Sequence, residues 1–186
     1  MQQELVQSRP VELRKAIAVV LGAAFVALAA QISVPLPGTP VPMTLQPLAV
    51  LLVGGLLGAR LGAASMVLYL ALGIAGLPVF TPTVPLLGIA RLLGPTGGYL
   101  LAYPVAAFAV GAIMADGRRW TRVALGVTAG LVLIHLGGLA QLMILTSSLE
   151  GAARLGTLPF LLGDLGKLVV AVAVLTKLTP AVRARL

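Results

Sequence analysis

Stretches of almost unbroken apolar sequence, at roughly residues 13–31, 45–59, 61–77, 97–115, 122–147 and 158–178, occupy most of this 186-residue chain. A helix needs about 20 such residues to cross a hydrocarbon core of roughly 30 Å, and in lipid only helices or closed barrels satisfy their own backbone. A barrel requires segments of about ten residues that alternate apolar and polar, and no such alternation is found. The spacing therefore predicts an all-α membrane protein with about six transmembrane helices, forming a single domain over residues 1–186. The second and third stretches are short and separated only near Arg60. They are read as a tight hairpin or as two half-length elements, the latter leaving five spans. Composition agrees: 59% of residues are hydrophobic and 10% charged, against about 25% charged in soluble domains.

The loops are unequal. Ile32 to Pro47 contains Pro35, Pro37, Pro40, Pro42 and Pro47, each with fixed φ and no N–H donor, so the segment should be extended and stiff. Leu77 to Pro95 adds Pro78, Pro82 and Pro85 among small and apolar residues. Irregular backbone at membrane depth must be enclosed by protein or line a cavity, which makes both loops candidates for the roof or wall of a binding site. The polar start Met1 to Pro10 and the Pro-rich sequence after the first apolar stretch fit a retained span better than a cleaved signal peptide.

The net charge of +8 is explained by topology and needs no nucleic acid. With six spans, Arg9, Arg14, Lys15, Arg60, Arg118, Arg119, Arg122, Lys177, Arg183 and Arg185 all fall on one face, and Arg91 and Arg154 on the other. Positive residues mark the cytoplasmic side, so both termini are expected in the cytoplasm and the Pro-rich loops outside. With no cysteine there is no disulfide, thiolate nucleophile or cysteine metal site.

Asp164 and Lys167 stand inside the last apolar stretch, PFLLGDLGKLVV. Ionised groups at that depth cost at least a few kcal/mol and usually mark a pathway or site. At i and i+3 they share one helix face, as an intrahelical pair or as a ligand-binding pair, and the second reading is preferred. Arg91 is either a solvated loop charge or a clamp for a ligand carboxylate. His135, the sole histidine, makes a poor metal site alone and is read as a hydrogen-bonded packing residue. Gln31, Gln46 and Gln141 lie near span ends, where an amide needs partners. Tyr69, Tyr99 and Tyr103 are placed as interfacial anchors, with Tyr99, after Gly97 and Gly98, the one expected to face a cavity.

Catalysis finds little support. GDLGKL lacks the earlier glycine and the following Ser or Thr of a phosphate loop, and a single histidine leaves no Ser/His/Asp set. No cofactor is implied. Gly54, Gly58 and Gly62, Gly126 with Gly130, and Ala23 with Ala27 repeat at four-residue spacing and allow close helix contact. Packing inside the chain accounts for the glycines, whereas the Ala23/Ala27 face is a candidate for docking a second membrane subunit.

Four strings taken in order, QISVPLPGTPVPMTLQPLAV (31–50), YLALGIAGLPVF (69–80), GPTGGYL (94–100) and PFLLGDLGKL (159–168), resemble the BioY family, the biotin-specific S components of energy-coupling-factor (ECF) transporters. The chain departs from that pattern where TPTVPLLGIARLL replaces a Gly-rich stretch. The resemblance implies a six-helix S-component fold, biotin as substrate, and Asp164, Lys167 and Arg91 as binding residues, to which the positions of Tyr99 and Gln46 add two further candidates. It also implies a transmembrane coupling subunit met through Ala23 and Ala27, two ATPase subunits, a location in the bacterial cell membrane, and in some members a homo-oligomer. The rival class is a self-sufficient secondary transporter or channel, with Asp164, Lys167 and His135 as a proton relay.

Overall fold

A computed structural model describes residues 2–115, 117 and 119–184, with side chains described from Val11 onward. Arg118, Arg185 and the side chain of Arg9, which enter the charge asymmetry, lie outside the described residues.

Apolar helices form at each of the predicted stretches: α1 (Gln2–Gln31), α2 (Gln46–Leu57), α3 (Ala59–Ile74), α5 (Gly97–Met114), α6 (Trp120–Thr146) and α8 (Leu161–Arg183). Two short helices, α4 (Ile89–Leu93) and α7 (Leu149–Gly156), lie in the connections. Four helical runs, ending at Gln31, Met114, Thr146 and Arg183, are long and apolar enough to cross a membrane, while α2 and α3 are shorter. At 12 residues, α2 is about 18 Å long. Helices α2 and α3 are joined directly: Gly58 ends α2 with its N–H on Gly54 O and starts α3, at φ 84°, ψ 174°. Side-chain-bearing residues avoid that backbone region, so one glycine makes the turn that a longer loop would otherwise need.

Lipid exposure inverts the usual order of a globular surface. Leu13, Val20, Leu28, Leu125, Ile144 and Val169 all lie on the outside, as expected where the solvent is as apolar as the core. Inside, α5 lies against α2, α3 and α6, while α8 packs on α2 and α6, and α1 on α2 and α3. Small residues permit this closeness. A Cβ on Gly62 would stand 2.8 Å from Gly54 Cα, and one on Gly54 would stand 2.5 Å from Ala107 O. Gly126 and Gly130 face Val110 and its neighbours on α5 and α2, so the glycine repeats are internal packing, as expected.

The same packing bears on the Ala23/Ala27 face. Ala23 is 1% exposed within the core and Ala27 is half-buried against it, so Ala23 packs inside the chain while Ala27 stays partly open. Small residues on α1 let α3 approach closely, and the side of α1 left outward carries Leu13, Ile17, Val20, Leu21 and Leu28.

The Pro-rich segment after α1 is extended, as its prolines dictate, and is closed by a short antiparallel pair, Ser33 with Thr44 and Val34 with Met43 (β1, Ser33–Val34; β2, Met43–Thr44). Thr39 Oγ1 donates to Leu155 O at 2.6 Å, which ties this hairpin to α7. At the other end of the molecule Arg183 donates to Gly55 O, at 3.0 Å from Nε and 2.6 Å from Nη2. It thus supplies donors to a last-turn carbonyl of α2 that the helix itself leaves unpaired.

Candidate functional site

The two Pro-rich loops, α4, the near ends of α2, α5 and α8, and the middle of α6 surround a cavity with about 560 Å³ of empty space including its mouth. Val41, Pro42 and Thr44 come from the first loop, and Phe80 and Thr81 from the second, so both segments form roof or wall as their sequence predicted.

Asp164, Lys167, Arg91, Tyr99 and Gln46 all line this one cavity. Asp164 and Lys167 are 4% and 8% exposed. They turn inward because the apolar residues around them on α8, Leu161, Leu162, Leu165 and Val169, occupy the outward face. Lys167 Nζ donates to Asp164 Oδ1 at 2.8 Å, and His135 Nε2 stands 2.7 Å from Oδ2. A carboxylate only accepts, so Nε2–H is the donor. Both oxygens are held, yet each keeps a further lone pair, and Lys167 keeps two protons. His135 is hydrogen-bonded, as expected, but its partner is the site itself and it lines the cavity. Its Nδ1 is buried with no partner among the described residues.

Arg91 is 1% exposed, which removes the solvated-charge reading. Its Nη1 donates to Val84 O at 2.5 Å and its Nη2 to Thr81 O, while the guanidinium sits 5.8 Å from the Phe80 ring centroid. The cation thus cinches its own loop and presents its remaining surface to the cavity. Burial pulls its pKa below the ordinary guanidinium value. The backbone here is not wholly irregular, since Arg91 stands on α4.

The tyrosines correct a second expectation. Tyr69 and Tyr103 are 0% and 3% exposed and are core residues rather than interfacial anchors. Gln46 Nε2 donates to Tyr69 OH at 2.6 Å, and Tyr69 OH donates to Val79 O at 3.3 Å. The amide and the phenol satisfy each other's buried polar groups and hold the second loop to α3. Tyr99 faces the cavity as expected, with its OH donating to Gly156 O at 2.5 Å and its ring edge-on to His135. Gln141 and Gln31 act as braces: Gln141 Nε2 meets the carbonyls of Leu92, Leu93 and Gly94 at 3.2–3.3 Å, and Gln31 Nε2 reaches Ala27 O and Phe80 O.

Sequence reasoning missed Thr96, Tyr103, Phe80 and Phe160, which also line the cavity. A signal was available for two of them. Thr96, Tyr99, Leu100 and Tyr103 stand at i, i+3, i+4 and i+7, one helix face. A second depression, between α6 and α8, is lined by aliphatic residues such as Leu131, Leu136, Leu139 and Leu165 and reaches His135 and Asp164 from the other side.

The comparisons agree with this geometry. The chain is 42% identical over 167 residues to the probable biotin transporter BioY of Pyrococcus horikoshii, covering 88% of this chain and 97% of that protein. It is 36% identical to the biotin transporter BioY of Thermotoga maritima over 155 residues, 83% of this chain and 89% of the other. The crystal structure of the S component for biotin from an ECF-type ABC transporter superposes with a TM-score of 0.81 at 26% identity, covering 91% of this chain and 92% of that one. This is the S-component fold, adopted by a multi-pass membrane protein. With the BioY family model matching residues 1–184, the chain belongs to the BioY family.

Proposed function

We propose that this chain is the substrate-binding component of a biotin uptake system, capturing the vitamin from the outer side of the cell membrane. The observation that carries the reading is the cavity of a BioY-family chain in which Asp164, bonded to His135 and Lys167, shares one chamber with Arg91. Biotin offers two ureido N–H donors, a ureido carbonyl, an apolar fused ring and a carboxylate. Asp164 accepts ureido N–H groups on its remaining lone pairs, and Lys167 donates toward the ureido carbonyl. Phe80, Tyr99 and Phe160 supply apolar surface for the ring, and Arg91 supplies positive charge for the acid. Tyr99 and Gln46 shape the chamber, each already engaged through its polar end.

Both termini then lie in the cytoplasm, and the two Pro-rich loops open outward. Release into the cell is driven by a transmembrane coupling subunit and two ATPase subunits, which supply the nucleotide chemistry that this chain's sequence does not encode.

Asp164→Asn tests the reading. Loss of a hydrogen bond to a charged group corresponds to about 10- to 100-fold in affinity, so labelled biotin should bind the variant at least tenfold more weakly while membrane insertion persists. Unchanged affinity removes the assigned role. The continuous chain His135–Asp164–Lys167 favours one second reading, a self-sufficient secondary transporter. Biotin accumulation by the chain alone in sealed vesicles, driven by a proton gradient and indifferent to ATPase subunits, decides for it.

A further inference from the structure

A threonine at a helix N-cap ordinarily turns its hydroxyl back onto a first-turn N–H. Thr96, the N-cap of the 18-residue α5, makes no such bond. Its side chain is 8% exposed and lines the cavity, and its Oγ1 has no partner among the described residues. A buried hydroxyl left this way is destabilising unless a partner arrives. The helix end behind it carries partial positive charge and unpaired N–H groups.

Neighbouring backbone places this hydroxyl beside Arg91. The chain folds back after α4 so tightly that a Cβ on Gly97 would stand 2.9 Å from Leu92 Cα. Arg91 and Thr96 each adjoin that contact, and Gln141 pins the turn through the carbonyls of Leu92, Leu93 and Gly94. Arg91 and the N-terminus of α5 are thus joined by one tight turn, and Arg91 and Thr96 both line the cavity. Asp164 lies on a different element, α8, where its charge is already compensated by Lys167, so that pair leaves no net positive charge for an anion.

The geometry points to the N-terminus of α5 as the carboxylate subsite of the cavity, with Thr96 Oγ1 donating to one carboxylate oxygen and Arg91 supplying charge beside it. The ligand's identity rests on the biotin reading, whereas the orphaned hydroxyl does not.

Thr96→Val and Thr96→Ser are purified and titrated with biotin and with an analogue whose carboxylate is replaced by a methyl group. Thr96→Val should weaken biotin about tenfold and leave the methyl analogue within about twofold, and Thr96→Ser should retain biotin binding. If Thr96→Val does not yield folded protein, Thr96→Ala provides the same comparison. Equal weakening of both ligands would place the hydroxyl at the ureido or ring end and overturn the assignment, as would no weakening of either. Wild-type protein that binds neither ligand shows a different pattern, sinking the biotin reading and the subsite with it.

Discussion

Arg91, Asp164 and Lys167 are buried charges, and their compensation differs in kind. Asp164 and Lys167 neutralise each other along one helix turn, with His135 as a third partner. Arg91 instead forks onto two main-chain carbonyls, a geometry that the single ammonium of lysine does not reproduce. Arg91→Lys is therefore expected to release Thr81 and Val84, weaken biotin binding by about tenfold or more, and speed proteolysis within residues 77–88. Binding assays and cleavage mapping check both. These three residues were legible in the sequence because a charge in an apolar stretch must have a reason. Tyr69, Tyr103 and His135 were misread or underread because an amphipathic side chain suits both an interface and a core, and only tertiary neighbours decide between them.

At the scale of elements, the helices were legible and their exposed faces were not. Apolar runs mark a span, but with lipid outside and protein inside both apolar, no periodicity separated the inward face of α1 from the outward one. Hence the expectation of an outward face through Ala23 and Ala27 meets a buried Ala23 and a half-buried Ala27. The one-residue joint at Gly58 and the Gly54–Ala107 approach make a sharper expectation. Gly54→Val drives side-chain atoms into the α5 backbone, where a Cβ already meets Ala107 O at 2.5 Å. It should destabilise the fold by about 1–3 kcal/mol or more. Gly166→Ala, where an added Cβ meets nothing within 4 Å, should leave stability undiminished. Thermal unfolding in detergent compares the two.

For the molecule as a whole, the absence of cysteine provides a clean background for mapping sidedness. Leu87→Cys and Glu150→Cys are expected to react with an impermeant maleimide added outside intact cells, and Arg60→Cys only after permeabilisation. The reverse pattern would overturn the assignment of the charged face to the cytoplasm. The binding chamber was only partly legible at this scale. Pro-rich loops announced a roof, but the closing contacts, Thr39 on Leu155 and Gln46 on Tyr69, join residues far apart in sequence whose pairing no local pattern encodes.

Because His135 and Asp164 border both the chamber and the aliphatic depression between α6 and α8, the partition between vitamin and membrane is a single layer of side chains there. In a bilayer, acyl tails would lie against the exposed aliphatic side chains, Leu136, Leu161 and Leu165, on the back of that partition. Affinity measured in nanodiscs should accordingly vary with tail saturation and branching, and detergent micelles should report a different value from a bilayer for the same purified protein.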